Sequence, residues 1–338
     1  MVRPLPQGLR RLALPALALA LLAGAGFCAL GAGAASARPP ARWVRVSVAT
    51  LWVRPGEARA VDAPAGAVPA DPRAWLEAMS TTQERWLVGR LETQALYGAK
   101  VYLLGTSGAW SRVAVAGQPT PRNRWGYPGW LPTRQLTHVA PATEKTTAVV
   151  LWPTLWLYRT QDLTGRVLEV SSGTRLPVVA TTAEAAEVVQ VDGTRAYVRR
   201  AGVVLHDAGT AWPALSGAQL VAQARRFLGV QYLWAGTSGF CLDCSGLTQL
   251  VCKAFGVTLP RDAADQATAG RRVATRSALR AGDLVFFRNA AGAIHHVGLC
   301  IGGGKMIHAP NTGSSVRIVS LDSEPYRSEF AGGRRLTP

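Results

Sequence analysis

The chain has 338 residues, enough for two or three domains. Apolar residues make up 48% and charged residues 17%, with no polar low-complexity tract, which excludes intrinsic disorder as a description of the whole. The net charge of +17 is carried almost entirely by arginine beside four lysines and favours a polyanionic setting such as nucleic acid, anionic lipid or an acidic cell-wall polymer. No basic run interleaved with aromatics occurs, which argues against nucleic acid.

Arg3, Arg10 and Arg11 precede an Ala/Leu/Gly-rich stretch from Leu12 to Gly33, and Ala35-Ser36-Ala37 follows it. This is the layout of a secretory signal over residues 1–37, with cleavage before Arg38, and it predicts export to the cell envelope or beyond. An uncleaved anchor competes with it, since about twenty apolar residues span a bilayer. Phe27 is bulky for a lipid-attachment motif at Cys28, and Arg10-Arg11 leaves the general and twin-arginine export routes both open. Loss of this leader, with its three arginines and no acid, leaves a charge of +14. The remaining cysteines, Cys241, Cys244, Cys252 and Cys300, all fall in the C-terminal third, unlike the spread of a disulfide scaffold.

From Val44 to about Leu136, short strand patterns such as Ala99 to Leu104 and Trp110 to Val115 alternate with Gly/Ser/Pro turns, predicting a small all-β barrel within residues 38–140. A helical insertion interrupts it. Asp71-Pro72 supplies an N-cap and a proline at the first helical position, and Thr81-Thr82-Gln83-Glu84 fits a capping box ahead of Trp86, Leu87 and Leu91. Thr137 to Thr147 reads as a linker, and a second β pattern, residues 145–208, turns at Ser171-Ser172-Gly173 and Asp192-Gly193. The two regions resemble bacterial SH3-like (SH3b) domains through Leu51-Trp52-Val53-Arg54-Pro55-Gly56, Leu96-Tyr97-Gly98 and Gly126-Tyr127-Pro128-Gly129-Trp130-Leu131-Pro132. The second match, around Asp192-Gly193 and Ala196-Tyr197-Val198, is the weaker. Tyr127 and Trp130 read as aromatics on an exposed loop that could meet a ligand; a packed barrel with no ligand is the plainer reading.

Ser216-Gly217-Ala218-Gln219 is a further capping box, after which Leu220, Val221, Ala224, Phe227 and Leu228 fall on one helical face up to Gly229. A second helix is expected from Cys244, with Leu247, Leu250, Val251, Ala254 and Phe255 at helical spacing and Gly256 as its stop. Strands follow at Asp283 to Phe287, Val297 to Ile301, Lys305 to His308 and Val316 to Val319, so residues 212–338 form an α+β domain. A thiol at a helix start gains thiolate character from the helix dipole, and it needs an imidazole to carry the proton and a third group to orient that ring. Cys244 is so placed, and His295, His296 and His308 are the histidines downstream. Spacing alone leaves a second reading open, in which Cys244 and the histidines are packed core or loop residues.

Tyr232-Leu233-Trp234-Ala235-Gly236-Thr237-Ser238, Asp243-Cys244-Ser245-Gly246-Leu247, Leu259-Pro260-Arg261-Asp262, Gly282-Asp283-Leu284-Val285-Phe286-Phe287, His296-Val297-Gly298 and Ile307-His308-Ala309-Pro310 resemble, in order, the motifs of NlpC/P60 cysteine peptidases. The resemblance implies a papain-like fold behind two SH3-like barrels, with Cys244 as nucleophile, His296 as base and then acid, and His308 as the orienting member. It implies Tyr232 and the Cys244 backbone N–H at the oxyanion site, and Asp243, Ser245, Arg261 and Asp262 among substrate contacts. The barrels and Gly126-Tyr127-Pro128-Gly129-Trp130 narrow the similarity to gamma-D-glutamyl-L-diamino acid endopeptidases of muropeptide recycling, in which the first barrel closes one end of the cleft. A cleft of that kind implies stem peptides or muropeptides as substrates, with a free N-terminal L-Ala preferred. The buried ammonium would need a carboxylate, Asp243 first and an acid of the first barrel second. Ala263 replaces a frequent serine, and Ala235 replaces a usual glycine, which reads as a mild change.

Other readings remain. Cys241-Leu242-Asp243-Cys244 is a C-x-x-C that could be a redox pair or half a zinc site, or Cys241 could mask Cys244 in a reversible disulfide. No second ligand pair accompanies it, so no metal or other cofactor is expected. A wall-binding module with an inert catalytic domain, a hydrolase of intact peptidoglycan, and an acyltransferase or amidase on the same Cys-His core are the alternatives. Anionic wall polymers are possible partners through the charge, and no stable protein partner is implied.

Overall fold

The computed structural model describes residues 38–337, so the predicted leader and its cleavage site lie outside the described residues. Among the described residues, three large sheets and one two-stranded sheet follow one another along the chain. The first contains β1 (Ala41–Val44), β2 (Val48–Trp52), β3 (Leu91–Leu96), β4 (Lys100–Ser107), β5 (Trp110–Val115), β6 (Tyr127–Pro132) and β7 (Leu136–Thr137), in the order β3-β2-β6-β5-β4-β1-β7 with every pair antiparallel. Its interior holds Leu51, Val101, Val113 and Leu131, the inward members of alternating strands.

Between β2 and β3 the chain forms α1 (Ala63–Gly66), α2 (Pro72–Ala78) and α3 (Thr81–Trp86). Asp71 caps α2 by accepting from the Ala74 N–H at 3.0 Å, with Pro72 at the first position. The cap of α3 is Ser80, one residue before the predicted box: Ser80 is extended (φ −71, ψ 159) and pairs reciprocally with Gln83, while Thr81 is already helical. Trp75, Leu76, Met79 and Leu87 of this insertion pack in one apolar core with Leu220, Phe227, Leu242 and Leu250 of the C-terminal domain. The first domain is thereby fused to the third through shared apolar burial.

The second sheet joins β8 (Thr146–Val150), β9 (Thr154–Tyr158), β10 (Arg166–Ser171), β11 (Arg175–Thr181), β12 (Ala185–Val189), β13 (Arg195–Arg199) and β14 (Val203–Asp207) in the order β10-β9-β13-β12-β11-β8-β14. Leu157, Val170, Ala196 and Val198 fill its separate core.

The C-terminal domain contains α4 (Gly217–Arg225), the short pair β15 (Thr237–Ser238) and β16 (Cys241–Leu242), α5 (Cys244–Lys253) and α6 (Ala263–Gln266). It then contains β17 (Arg271–Val273), β18 (Leu284–Arg288), β19 (Ile294–Gly302), β20 (Lys305–His308), β21 (Arg317–Ser320) and β22 (Phe330–Arg335), in the order β17-β22-β18-β19-β20-β21. Ser216 and Gln219 form the expected reciprocal cap of α4. Leu247, Leu250 and Val251 form the apolar face of α5, which is buried from Ser245 to Cys252 and packs on β19. β22 departs from the sequence reading: its Phe-Ala-Gly-Gly-Arg-Arg lacks β-branched residues, yet it lies between β17 and β18.

Candidate active site

Asp243 is the N-cap of α5, its carboxylate accepting from the Gly246 N–H at 2.7 Å, so Cys244 becomes the first helical residue. Gly246 is required there, because a Cβ would meet the Gly236 carbonyl oxygen at 2.0 Å. Cys244 is part-exposed on the wall of a cleft of about 810 Å³. His296, from β19, faces the same cleft and is 7% exposed. Its Nε2 lies 2.8 Å from Nδ1 of His308, which is fully buried at the end of β20.

That geometry assigns the ring atoms. With Nε2 turned to His308, Nδ1 of His296 is the atom left for the thiol proton. An imidazolium formed on His296 donates from Nε2–H to Nδ1 of His308, which requires His308 to carry its own proton on Nε2. Tyr326 stands edge-on to His308, ring centroids 5.0 Å apart, and closes the pair from solvent. His295, one residue earlier on the strand, is more exposed at the cleft rim, where it pairs with Glu329 at 2.9 Å.

The electrostatics differ from the expectation of a low-pKa thiol. Burial, reinforced by the Asp243 carboxylate, pushes the Cys244 thiol up to about 12, against hydrogen bonds from the backbone N–H groups of Val297 and Ser245. Burial also lowers His296 to about 4 and His308 to about 3. Desolvation thus opposes the helix start and favours the neutral form of both thiol and imidazole. Tyr232, 7% exposed, has its hydroxyl pKa raised by burial and by Asp243, which keeps it a hydrogen-bond donor on the cleft wall. A carbonyl oxygen that gains charge beside Cys244 can be met by this donor and by the Cys244 backbone N–H at the start of α5.

The expected substrate contacts Asp243, Ser245 and Arg261 line the cleft and are also bound to one another. Arg261, 1% exposed, forks onto both Asp243 oxygens at 2.6 and 3.1 Å and also donates to Ser245 Oγ at 2.8 Å and Thr93 Oγ1 at 2.9 Å. Asp243, Ser245 and Arg261 thus form a buried support beneath the nucleophile, in which Asp243 Oδ1 accepts three hydrogen bonds and Oδ2 one. Thr93 lies on β3, so this support reaches into the first domain.

Tyr127 is not on an exposed loop. It opens β6 and is 4% exposed, and Gly126 before it is held at φ +127, where a Cβ would strike the Val115 carbonyl at 2.1 Å. The Tyr127 hydroxyl donates to Asp262, 3.0 Å from each carboxylate oxygen, and accepts from Arg122 at 2.9 Å. Arg122 in turn forks onto Glu92 at 2.6 and 2.7 Å. Burial raises the Asp262 pKa despite Arg261. Glu92, Arg122 and Trp234 also line the cleft; as a lone acid and a lone arginine in β-rich sequence, the first two carry no pattern that marks them. Cys241 departs from its reading as a partner of Cys244: its thiol is fully buried and lies 3.5 Å from the Gln94 side-chain amide. Among the described residues, all four cysteines are free and no group of three or more His/Cys/Asp/Glu side chains could hold a metal ion.

A thiol at a helix start, an imidazole on the facing strand and a second ring behind it make the site that of a cysteine peptidase. The NlpC/P60 family profile matches residues 229–335, and that of the YKFC SH3b2 domain matches residues 150–204. A gamma-D-glutamyl-L-lysine dipeptidyl-peptidase of Bacillus cereus is 39% identical over 303 residues, covering 88% of this chain and 91% of that protein. Its namesake in Bacillus subtilis is 37% identical over 295 residues, covering 86% and 96%. A crystal structure of a NlpC/P60 family protein from Bacillus cereus aligns with a TM-score of 0.81 at 36% identity, over 88% of this chain and 100% of that one. The chain belongs to the NlpC/P60 family of cysteine peptidases, with an SH3b domain ahead of the catalytic one.

Proposed function

We propose that this peptidase hydrolyses the gamma-D-glutamyl-L-diamino acid bond of peptidoglycan-derived peptides and prefers those whose L-Ala amine is free. Two relatives named for cleavage at gamma-D-glutamyl-L-lysine align over most of both chains and support the bond. In the first half-reaction, His296 Nδ1 takes the Cys244 proton as sulfur attacks the gamma-carbonyl. The oxyanion receives hydrogen bonds from Tyr232 and the helix start, and the imidazolium, steadied by His308, protonates the leaving amine. Water, deprotonated by His296, then opens the thioester.

The observation that carries the amine preference is the cleft end built by the first domain. Glu92 and Asp262 are the carboxylates there, bridged through Arg122 and Tyr127, whereas Asp243 lies beneath the nucleophile in its pair with Arg261. An ammonium placed between Glu92 and Asp262 gains two carboxylate partners, and a first-domain wall behind them would leave no room for a glycan substituent. Turnover of L-Ala-gamma-D-Glu-L-Lys should exceed that of its muramyl-linked form at least tenfold, on the order of one lost charge-assisted contact. Tyr127→Ala should narrow this gap; equal turnover of the two substrates by the wild-type chain would refute the closed end and point to intact wall as substrate. Export with loss of residues 1–37 belongs to the same proposal, and N-terminal sequencing of envelope material should begin at Arg38. The remaining +14 charge favours retention near anionic wall polymers.

A further inference from the structure

At the opposite end of α5 from Cys244, a second cavity of about 240 Å³ opens where all three domains meet. Gly117 follows β5 of the first sheet, Arg175 begins β11 of the second, and Gln249, Lys253 and Thr258 come from α5 and the turn beyond it. The Lys253 stem lies across the turn that leads into β11: a Cβ on Gly173 would sit 3.4 Å from Lys253 Cδ. Arg175 stands 5.7 Å from the Trp212 ring centroid, and Trp212 stacks on His206 at 4.0 Å.

Two cations are thus held side by side by the packing of three domains. Among the described residues, neither Arg175 nor Lys253 has a carboxylate partner or a side-chain hydrogen bond. Gln249 does not neutralise them, since its amide nitrogen donates to the Leu259 carbonyl at 2.9 Å. Burial and the nearby Arg175 charge lower Lys253 to about 8, so this pairing is unfavourable without a counter-charge. Like charges in a partly desolvated pocket repel, and an anion between them turns that repulsion into two charge-assisted contacts.

We propose that this cavity is an anion site that takes a phosphate group, shared between the Arg175 guanidinium and the Lys253 ammonium. The space admits several waters, enough for one phosphate or one phosphodiester link with part of its hydration. A single carboxylate would leave one of the two cations without a counter-charge. The same chemistry is offered by free inorganic phosphate and by the phosphodiester of an anionic polymer. The site is independent of the peptide cleft and of the bond cleaved there.

The test is isothermal titration of the chain from Arg38 to Pro338 with inorganic phosphate at constant ionic strength balanced by chloride, repeated with a short poly(glycerol phosphate). The expected result is saturable one-site binding of at least one of the two, weakened about tenfold or more in Arg175→Gln and in Lys253→Met, with peptide turnover unchanged in both. Lys253→Met keeps the stem that packs on Gly173, and Arg175→Gln alters only the rim, so a folding failure in the first leaves the second to decide. Binding of the polymer assigns a phosphodiester source, and binding of inorganic phosphate alone assigns a free ion. Absence of saturable binding by either probe, or an affinity equal to wild type in both variants, overturns the proposal.

Discussion

At the residue scale, the chemistry rests on one sulfur and one ring nitrogen. Cys244→Ala and His296→Ala are each expected to abolish hydrolysis without loss of fold, checked by product release and circular dichroism. His295→Ala should retain near wild-type turnover, because that ring faces Glu329 at the surface. His308→Ala should reduce kcat less than His296→Ala does, since nucleophile and base remain. Loss of activity in His295→Ala with retention in His296→Ala would reverse the register of β19. Ala235 carries a second residue-scale effect, larger than the mild change its sequence suggests. Its φ of +66 lies in the left-handed region, where a Cβ costs about 1–2 kcal/mol. Ala235→Gly returns part of this against the added freedom of the unfolded chain, so a gain of about 0.5–1 kcal/mol is expected in urea denaturation. A loss of stability would show that the Ala235 methyl packs better than its backbone is strained.

At the element scale, α5 needs both its cap and the support beneath it. The Arg261–Asp243 pair is buried and bidentate, and removing one partner leaves an uncompensated charge, typically about 3–5 kcal/mol. Arg261→Met should therefore lower the unfolding free energy by several kcal/mol and depress activity, while Arg122→Met, on a more exposed pair, should cost far less. Equal destabilisation by the two would contradict the buried support. The C-x-x-C gives the next expectation at this scale. β16 turns the Cys241 thiol toward Gln94, and Cys252 and Cys300 are 0% and 2% exposed. Iodoacetamide on the folded chain from Arg38 should add a single adduct among Cys241, Cys244, Cys252 and Cys300, at Cys244, and abolish activity, whereas a chelator should leave activity unchanged. Two adducts within the C-x-x-C, or inactivation by chelator reversed by zinc, would restore the redox or metal reading.

At the scale of the whole molecule, the two buried imidazoles tie stability to acid. His296 is lowered from 6.5 to about 4 and His308 from 6.5 to about 3, so the unfolded chain binds protons more readily than the folded one across this interval. Their contribution is complete above about pH 6.5 and is lost as pH falls toward 4, by up to about 1.4 kcal/mol per pH unit for each ring. Unfolding free energy should decline over that window in wild type and less steeply in His296→Gln, measured by urea titration at several pH values. Identical acid slopes would mean that other groups carry the effect. The fused core adds that the catalytic domain is not a free-standing unit: Trp75, Leu76 and Leu87 of the first domain complete its packing.

Features that depend on local patterns are legible in the linear chain. Helix caps at Asp71, Ser216 and Asp243, turns at Gly173 and Gly193, and the Cys244, His296 and His308 set can all be read there, because capping and turn chemistry act over a few residues and the motifs are linear. Even so, the α3 cap is displaced by one residue from its reading, since Ser80 and Thr81 are chemically alike and the backbone angle separates them. Relations between distant residues come from the folded arrangement instead. β22 has no strand signature, and its place is set by proximity: a Cβ on Gly333 would meet the Leu284 carbonyl at 2.8 Å. Tyr127 is buried because Gly126 and β5 fold it against Asp262, 135 positions away. Arg261 serves the fold because Asp243 and Thr93 converge on it, and the shifts of thiol and imidazole toward their neutral forms follow from desolvation, which depends on how the domains pack around them.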